Sequence, residues 1–243
     1  HRVDRRQRQM CIRDSSLIAY VVIIVFLLLI GLFTWVFADG NVLSLGYSNL
    51  DILFTMAPWV FIFLISAITM RSFSEEIKQG TFEILSTKPV TDLQIIIGKY
   101  LAAVTLVAFA ILPTLLYFYS IYQLGLPKGN IDVGATWGSY IGLLLLGSCY
   151  AAIGLFSSAV TPNQIIAFVF GMFLCFFFYV GFQQLSNLSL FGSFDHIVQV
   201  LGIQYHYESI SRGVLDTRDL VYFGSVISVF LGLTYVTLDS RKW

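Results

Sequence analysis

Long apolar runs alternate with short polar segments along this chain. Six runs stand out: Leu17–Phe37, Leu53–Met70, Leu101–Gln123, Trp137–Val160, Gln164–Phe182 and Leu220–Leu238. Each is close to the length of about 20 residues that a helix needs to cross a bilayer's hydrocarbon core. None shows the alternation in segments of about 10 residues that a membrane barrel requires. A helix satisfies its backbone groups internally in lipid. The pattern therefore predicts an all-α membrane protein with six transmembrane helices.

The polar segments between the runs predict shorter elements. Arg71–Lys99 carries Arg71, Glu75, Glu76, Lys78, Glu83, Lys88, Asp92 and Lys99. Ser72 and Glu75 have capping-box spacing, so a helix is expected to start there, and Gly80 suits its left-handed end. Thr81–Thr87 reads as a second short helix, with Phe82 and Leu85 on one apolar face, Glu83 off it, and Pro89 as its stop. Thr91 and Gln94 form another capping box, with Val90 and Ile95 as a staple, at the start of the helix that enters span three. Pro113 lies inside span three and predicts a kink there, a packing bend or a candidate hinge. In span four, the Gly138 and Gly142 spacing permits close helix approach. Gln183–Asp219 is neither apolar enough to span nor polar enough to be disordered. It predicts two interfacial or re-entrant helices, around His196–Leu201 and Tyr205–Leu215, with Asp216 capping span six and Asp219 in its first turn.

Composition strengthens the membrane reading: 57% of residues are hydrophobic and only 12% charged, against about 25% charged in soluble domains. Net charge is zero, which gives no electrostatic case for nucleic acid. The distribution of charge sets an orientation. With a cytoplasmic N-terminus, Arg71, Lys78, Lys88, Lys99, Arg241 and Lys242 fall inside, with five arginines of the N-terminal tail. Lys128, Arg212 and Arg218 fall outside. This positive-inside pattern places both termini in the cytoplasm. His1–Ser15 is rich in Arg and Gln without a helical stripe, and it reads as a non-native or disordered tail ahead of a single transmembrane domain over residues 16–243.

Catalytic chemistry is sparse. The apolar cores of the six runs contain no Asp, Glu, Lys, Arg or His, which weighs against an ion-coupled transporter or channel. Cys11, Cys149 and Cys175 lack metal-ligand spacing. His196 and His206 read as surface loop residues, with no carboxylate or cysteine to complete a site. Glu75 and Glu76 are adjacent and point about 100° apart on a helix, a poor acid/base pair. No phosphate-binding glycine loop is present. No enzyme activity, metal or bound cofactor is expected of this chain.

Two motifs carry a family likeness. Glu76 to Pro89 fits the pattern E-x-x-x-G-T-x-E-x-L-x-x-x-P, through Glu76, Gly80, Thr81, Glu83, Leu85 and Pro89. It resembles the segment that ABC-2 type exporter permeases carry between their second and third helices. Tyr207–Asp216, with Arg212, Gly213 and Asp216, looks like the motif they carry outside, before the last helix. The resemblance implies a permease subunit of an ABC exporter in a bacterial inner membrane. It also implies a separate ABC ATPase that binds the ATP, and a homodimer or paired permease surrounded by membrane lipid. Glu75, Glu76, Gly80, Thr81, Phe82, Glu83, Leu85 and Pro89 would form a coupling helix and its ATPase interface. Within the family, Ala57–Phe61, Ala67–Phe73, Gly138–Leu143, Cys175–Tyr179 and Ser240–Trp243 are most similar to gliding-motility-associated permeases of the GldF type. That likeness implies a GldA-like ATPase and a GldG-like companion. An alternative in that setting is a scaffold that anchors an ATPase without transporting.

Overall fold

The computed structural model describes residues 20–37, 50–80, 91–125, 128–188, 195–213 and 216–240, and all regular structure among them is helical. Helix α1 (Tyr20–Trp35) is followed by α2 (Asp51–Thr69) and the short α3 (Ser74–Gln79). Helix α4 (Asp92–Ile111) passes through a 3₁₀ turn at Leu112–Thr114 into α5 (Leu115–Leu124). Then come α6 (Val133–Val160) and α7 (Gln164–Phe176), a π turn at Phe177–Gly181, and α8 (Phe182–Asn187). Two short helices, α9 (Asp195–Val200) and α10 (Ile203–Ser211), precede α11 (Thr217–Asp239).

Among the described residues, five segments are long and apolar enough to cross a membrane: Asp51–Gln79, Asp92–Leu124, Val133–Val160, Gln164–Asn187 and Thr217–Asp239. The remaining expected span, Leu17–Phe37, is described from residue 20 as the shorter apolar helix α1. Several spans begin earlier than the apolar runs because polar caps set helix ends. Thr91 makes both bonds of its capping box with Gln94, at 3.4 and 3.1 Å. Asp132 accepts from the Ala135 amide at 3.0 Å and so starts α6 at Val133. Asp216 accepts from the Arg218 amide at 3.1 Å.

Helix α6 is the hub and is largely buried, packing on α2, α4, α7, α10 and α11. Asp92–Leu124, Gln164–Asn187 and Thr217–Asp239 are mostly unburied, with Leu116, Ile165 and Val221 exposed. Such a surface suits contact with lipid tails rather than water. Small residues let helices approach the hub. A Cβ on Gly154 would lie 2.1 Å from Thr69 Oγ1, so α2 and α6 touch backbone to side chain there.

Pro113 lies in the 3₁₀ turn Leu112–Thr114, within a segment that stays helical from Asp92 to Leu124. Proline lacks the amide that would serve the preceding turn. The turn is tied to the hub, because the Tyr140 hydroxyl donates to the Thr114 carbonyl at 3.0 Å. The π turn in span five has no counterpart in the sequence reading. It faces Tyr179 inward, where its ring meets those of Trp59 and Tyr150.

The two short helices of the 183–219 segment are present at nearly the expected positions. Helix α10 inserts into the bundle: Ile203, His206, Tyr207 and Ile210 are buried. The Gly138 and Gly142 pair receives it, since a Cβ on Gly138 would meet the Gly213 Cα at 2.9 Å, and one on Gly142 the Ile210 side chain at 3.0 Å.

Candidate functional site

Glu75, Glu76 and Gly80 on one side, and Arg212, Gly213 and Asp216 on the other, lie at opposite ends of the hub. At one end, α2 stops at Thr69, and a turn leads into α3. The expected cap at Ser72 is a correction. Helix α3 starts at Ser74, with Phe73 at its N-cap position and no side-chain cap bond. Burial decides this start. Phe73 is fully buried in a cluster with Ile96, Leu155, Ala159 and Leu238. Its amide donates to Ser158 Oγ of α6 at 3.0 Å. Ser74 Oγ turns back to donate to the Met70 carbonyl.

Lys99 of α4 completes this corner. Its ammonium donates to the Ser72 carbonyl and lies 2.6 Å from Glu76 Oε2. It also sits 4.3 Å from the centroid of the Phe73 ring, a cation–π contact. The pair is partly exposed, with Lys99 at 21% and Glu76 at 33%, so its Coulomb contribution is modest, roughly 0–1 kcal/mol. Its geometric effect is larger, because one cation ties α3 and the turn before it to α4 at three points, Ser72, Phe73 and Glu76. Glu75 and Glu76 diverge as adjacent helical residues must: Glu75 accepts from Gln79 Nε2 at 3.3 Å, while Glu76 faces Lys99. Gly80 ends α3 in the left-handed region, at φ 67°, as its spacing predicts. Thr81, Phe82, Glu83, Leu85 and Pro89, with the staple residue Val90, lie outside the described residues. The structure fixes the two anchors that bracket them, Gly80 and the Thr91 cap.

At the other end, the motif residues Arg212, Gly213 and Asp216 form the corner between α10 and α11. Arg212 ends α10, Gly213 adopts φ 86° with its Cα against Gly138, and Asp216 caps α11. Any side chain at Gly213 would also collide with the Ala135 backbone, at 2.9 Å from its Cα. Ser139 Oγ donates to the Ser211 carbonyl at 2.9 Å, and the Tyr207 hydroxyl donates to the Phe54 carbonyl at 2.8 Å. Burial pushes the Tyr207 phenol well above its ordinary value, so it remains a donor. A cleft of about 300 Å³ opens beside these contacts, walled by Phe54, Trp59 and Tyr179 and edged by Asp51, Glu208 and Arg212.

His206 corrects the reading of a surface histidine without a carboxylate partner. It is 6% exposed, and its Nδ1 lies 2.6 Å from Asp219 Oδ1, across the gap between α10 and α11. Its Nε2 lies 2.9 Å from the Val200 carbonyl oxygen, and the Tyr222 ring stacks on it at 3.9 Å. The sequence held only a weak signal for this pair, an acidic residue in the first turn of a span. His196 is exposed as expected. Among the described residues, no group of three or more His, Cys, Asp or Glu side chains could hold a metal ion.

Residues 44–203 match the family model of the ABC-2 family transporter protein. The matched stretch contains the α3 corner and residues 81–90, and it ends where α10 begins. No curated protein matches the chain.

Proposed function

The chain belongs to the ABC-2 transporter family of multi-pass membrane proteins, and from that premise we propose that it is the permease subunit of an exporter driven by a separate ABC ATPase. The six apolar runs are then six spans, with both termini and the α3 corner on the cytoplasmic face of a bacterial inner membrane. The excess of Lys and Arg on that side supports this orientation. ATP is bound and hydrolysed by the partner. This chain contributes contact and motion rather than chemistry.

The observation that carries the reading is the clamped corner. Helix α3 is held to α6 through Phe73 and Ser158, and to α4 through Lys99, Ser72 and Glu76. A segment hung between two such anchors can pass a rigid-body displacement to the hub. In this proposal Thr81–Thr87 is the coupling helix, with Phe82 and Leu85 as buried anchors on the ATPase and Pro89 as its stop. Glu75 and Glu83 lie at the rim of the contact, where charge tunes specificity more than affinity. Pro113 serves as the bend of span three. The likeness to GldF-type permeases supports a gliding-motility setting, a GldA-like ATPase, a GldG-like companion and assembly as a homodimer or with a second permease.

Leu85→Asp and Glu83→Lys are expected to abolish recovery of the ATPase with the affinity-tagged permease, while leaving the amount of permease in the membrane unchanged. A charge buried unpaired, as in Leu85→Asp, or a reversed charge set against like charges, as in Glu83→Lys, costs on the order of several kcal/mol, which takes a micromolar complex out of the recoverable range. Undiminished recovery of the ATPase with both variants would contradict the proposal.

A further inference from the structure

The cleft at the end of the bundle opposite the α3 corner has an aromatic wall and a charged edge. Phe54 and Trp59 of α2 and Tyr179 of the π turn form the wall. Two carboxylates, Asp51 and Glu208, and one guanidinium, Arg212, stand at the edge. The volume of about 300 Å³ is at the lower end of small-molecule sites, roughly 300–1,000 Å³. That is room for one small polar group.

The charges of α10 at this edge are not engaged with each other. Glu208 and Arg212 are four residues apart, a spacing at which side chains on a helix can meet. Among the described residues, neither takes part in an ion pair. Glu208 Oε1 accepts instead from Gln204 Nε2 at 2.8 Å, one turn back along α10. The bond orients the carboxylate and leaves its second oxygen able to accept. An anion and a cation therefore stand side by side above aromatic rings. The rings attract cations. The carboxylate accepts from the N–H groups of an ammonium, and the guanidinium donates to phosphate as a fork. A small zwitterion with an ammonium next to a phosphate matches all three.

The wall of the cleft continues into an apolar surface on the outside of the bundle. Trp59 is 40% exposed, and its ring lies 6.2 Å from that of Phe176, also exposed. Helices α2 and α7 run antiparallel, since Trp59 meets Phe176 and Tyr179 while a Cβ on Gly171 would lie 3.6 Å from Ser66 Oγ. One turn further from the cleft on each helix, Phe63 and Phe173 are exposed as well. Hydrocarbon laid along these four rings reaches the cleft at Trp59. A water-soluble zwitterion has no use for that surface, whereas a phospholipid uses both parts.

We propose that the cleft binds the head of an ethanolamine phospholipid, with the ammonium at Glu208 against the Trp59 and Tyr179 rings, the phosphate at Arg212, and an acyl chain along Trp59, Phe63, Phe176 and Phe173. The lipid joins α10 to α2 and α7 from the membrane side. Related lipids lack part of the match. A choline head has no N–H for the carboxylate, and a glycerol head has no cation. A serine head brings a further carboxylate up to Asp51 and Glu208. This inference stands apart from the ATPase reading and needs only that the chain lies in a membrane.

Native mass spectrometry of the full-length, detergent-solubilised protein tests the site. Ethanolamine, choline and glycerol phospholipids with the same acyl chains would be titrated separately, and the first bound lipid followed. The ethanolamine lipid is expected to bind tighter than the other two by on the order of tenfold, the worth of one charge-assisted hydrogen bond. Glu208→Gln should bring the ethanolamine lipid down to the level of the choline lipid. Arg212→Gln should weaken all three, because each carries the phosphate. Both side chains are exposed, so the lipid-free variants should melt as the wild type does. Glycerophosphoethanolamine, which is the same head without acyl chains, should displace the lipid only at far higher concentration. Equal binding of the three lipids by the wild type, or an undiminished ethanolamine preference in Glu208→Gln, would overturn the proposal. Displacement by glycerophosphoethanolamine at the concentration of the lipid itself would overturn its lipid part.

Discussion

Phe73→Ala is expected to undock α3 and to cost about 3–5 kcal/mol, the usual range for emptying a fully buried phenylalanine site. Phe73 has no exposed surface, and Ile96, Leu155, Ala159 and Leu238 surround it from three helices. The cavity would lie where α3, α4, α6 and α11 meet, and those helices are held apart by their other contacts, so it should not collapse. Loss of the ring also removes the aromatic face under Lys99. Phe73→Leu, which keeps most of the volume, should cost less than about 1.5 kcal/mol. Thermal melting of the detergent-solubilised protein, with hydrogen exchange over residues 74–79, measures both effects. Equal stability of Phe73→Ala and wild type, with α3 still protected, would show that the corner is not a clamp.

The second large effect is expected at Gly154. A methyl group there would sit 2.1 Å from Thr69 Oγ1 and 2.9 Å from Thr69 Cβ. The threonine cannot swing away without losing its 2.8 Å bond to the Ile65 carbonyl. Gly154→Ala must therefore push α2 off the hub, at about 1–3 kcal/mol or more. Gly224→Ala and Gly232→Ala are the controls. Nothing lies within 4 Å of a Cβ at either, and removing a mid-helix glycine should be neutral or stabilising by up to roughly 1 kcal/mol. Thr69→Ala should recover part of the Gly154→Ala loss, and a double-mutant cycle on melting temperatures measures the coupling. Additive losses would mean that the two residues do not meet.

What the sequence could and could not reveal follows from the range of the interactions. Gly80, the Thr91 box and the Asp216 cap were legible because a cap is a bond between residues two to four apart. The positions of the long spans were legible because a run of apolar residues in lipid has few alternatives to a helix. Ser72 misled because a buried neighbour, Phe73, sets the start of α3, and its surroundings come from α4, α6 and α11. The glycines at 138 and 142 announced a close approach without naming what approaches. The partner is α10, some 70 residues downstream, held by a bond that spans 72 residues between Ser139 and Ser211. His206 was misread for the same reason: its carboxylate is 13 residues away on another helix. The π turn at Phe177–Gly181 left no local mark that distinguishes it from an ordinary apolar helix.

The central claim is that the segment between Gly80 and Thr91 touches an ABC ATPase. Site-specific photocrosslinking tests it without relying on a loss of function. A photoreactive amino acid at Phe82 or Leu85, in cells that contain the partner ATPase, should yield a covalent adduct of permease and ATPase. The same group at Gln204, on the opposite end of the bundle beside the cleft, should yield none. Adducts from residue 204, or none from residues 82 and 85 with the ATPase present, would contradict the account.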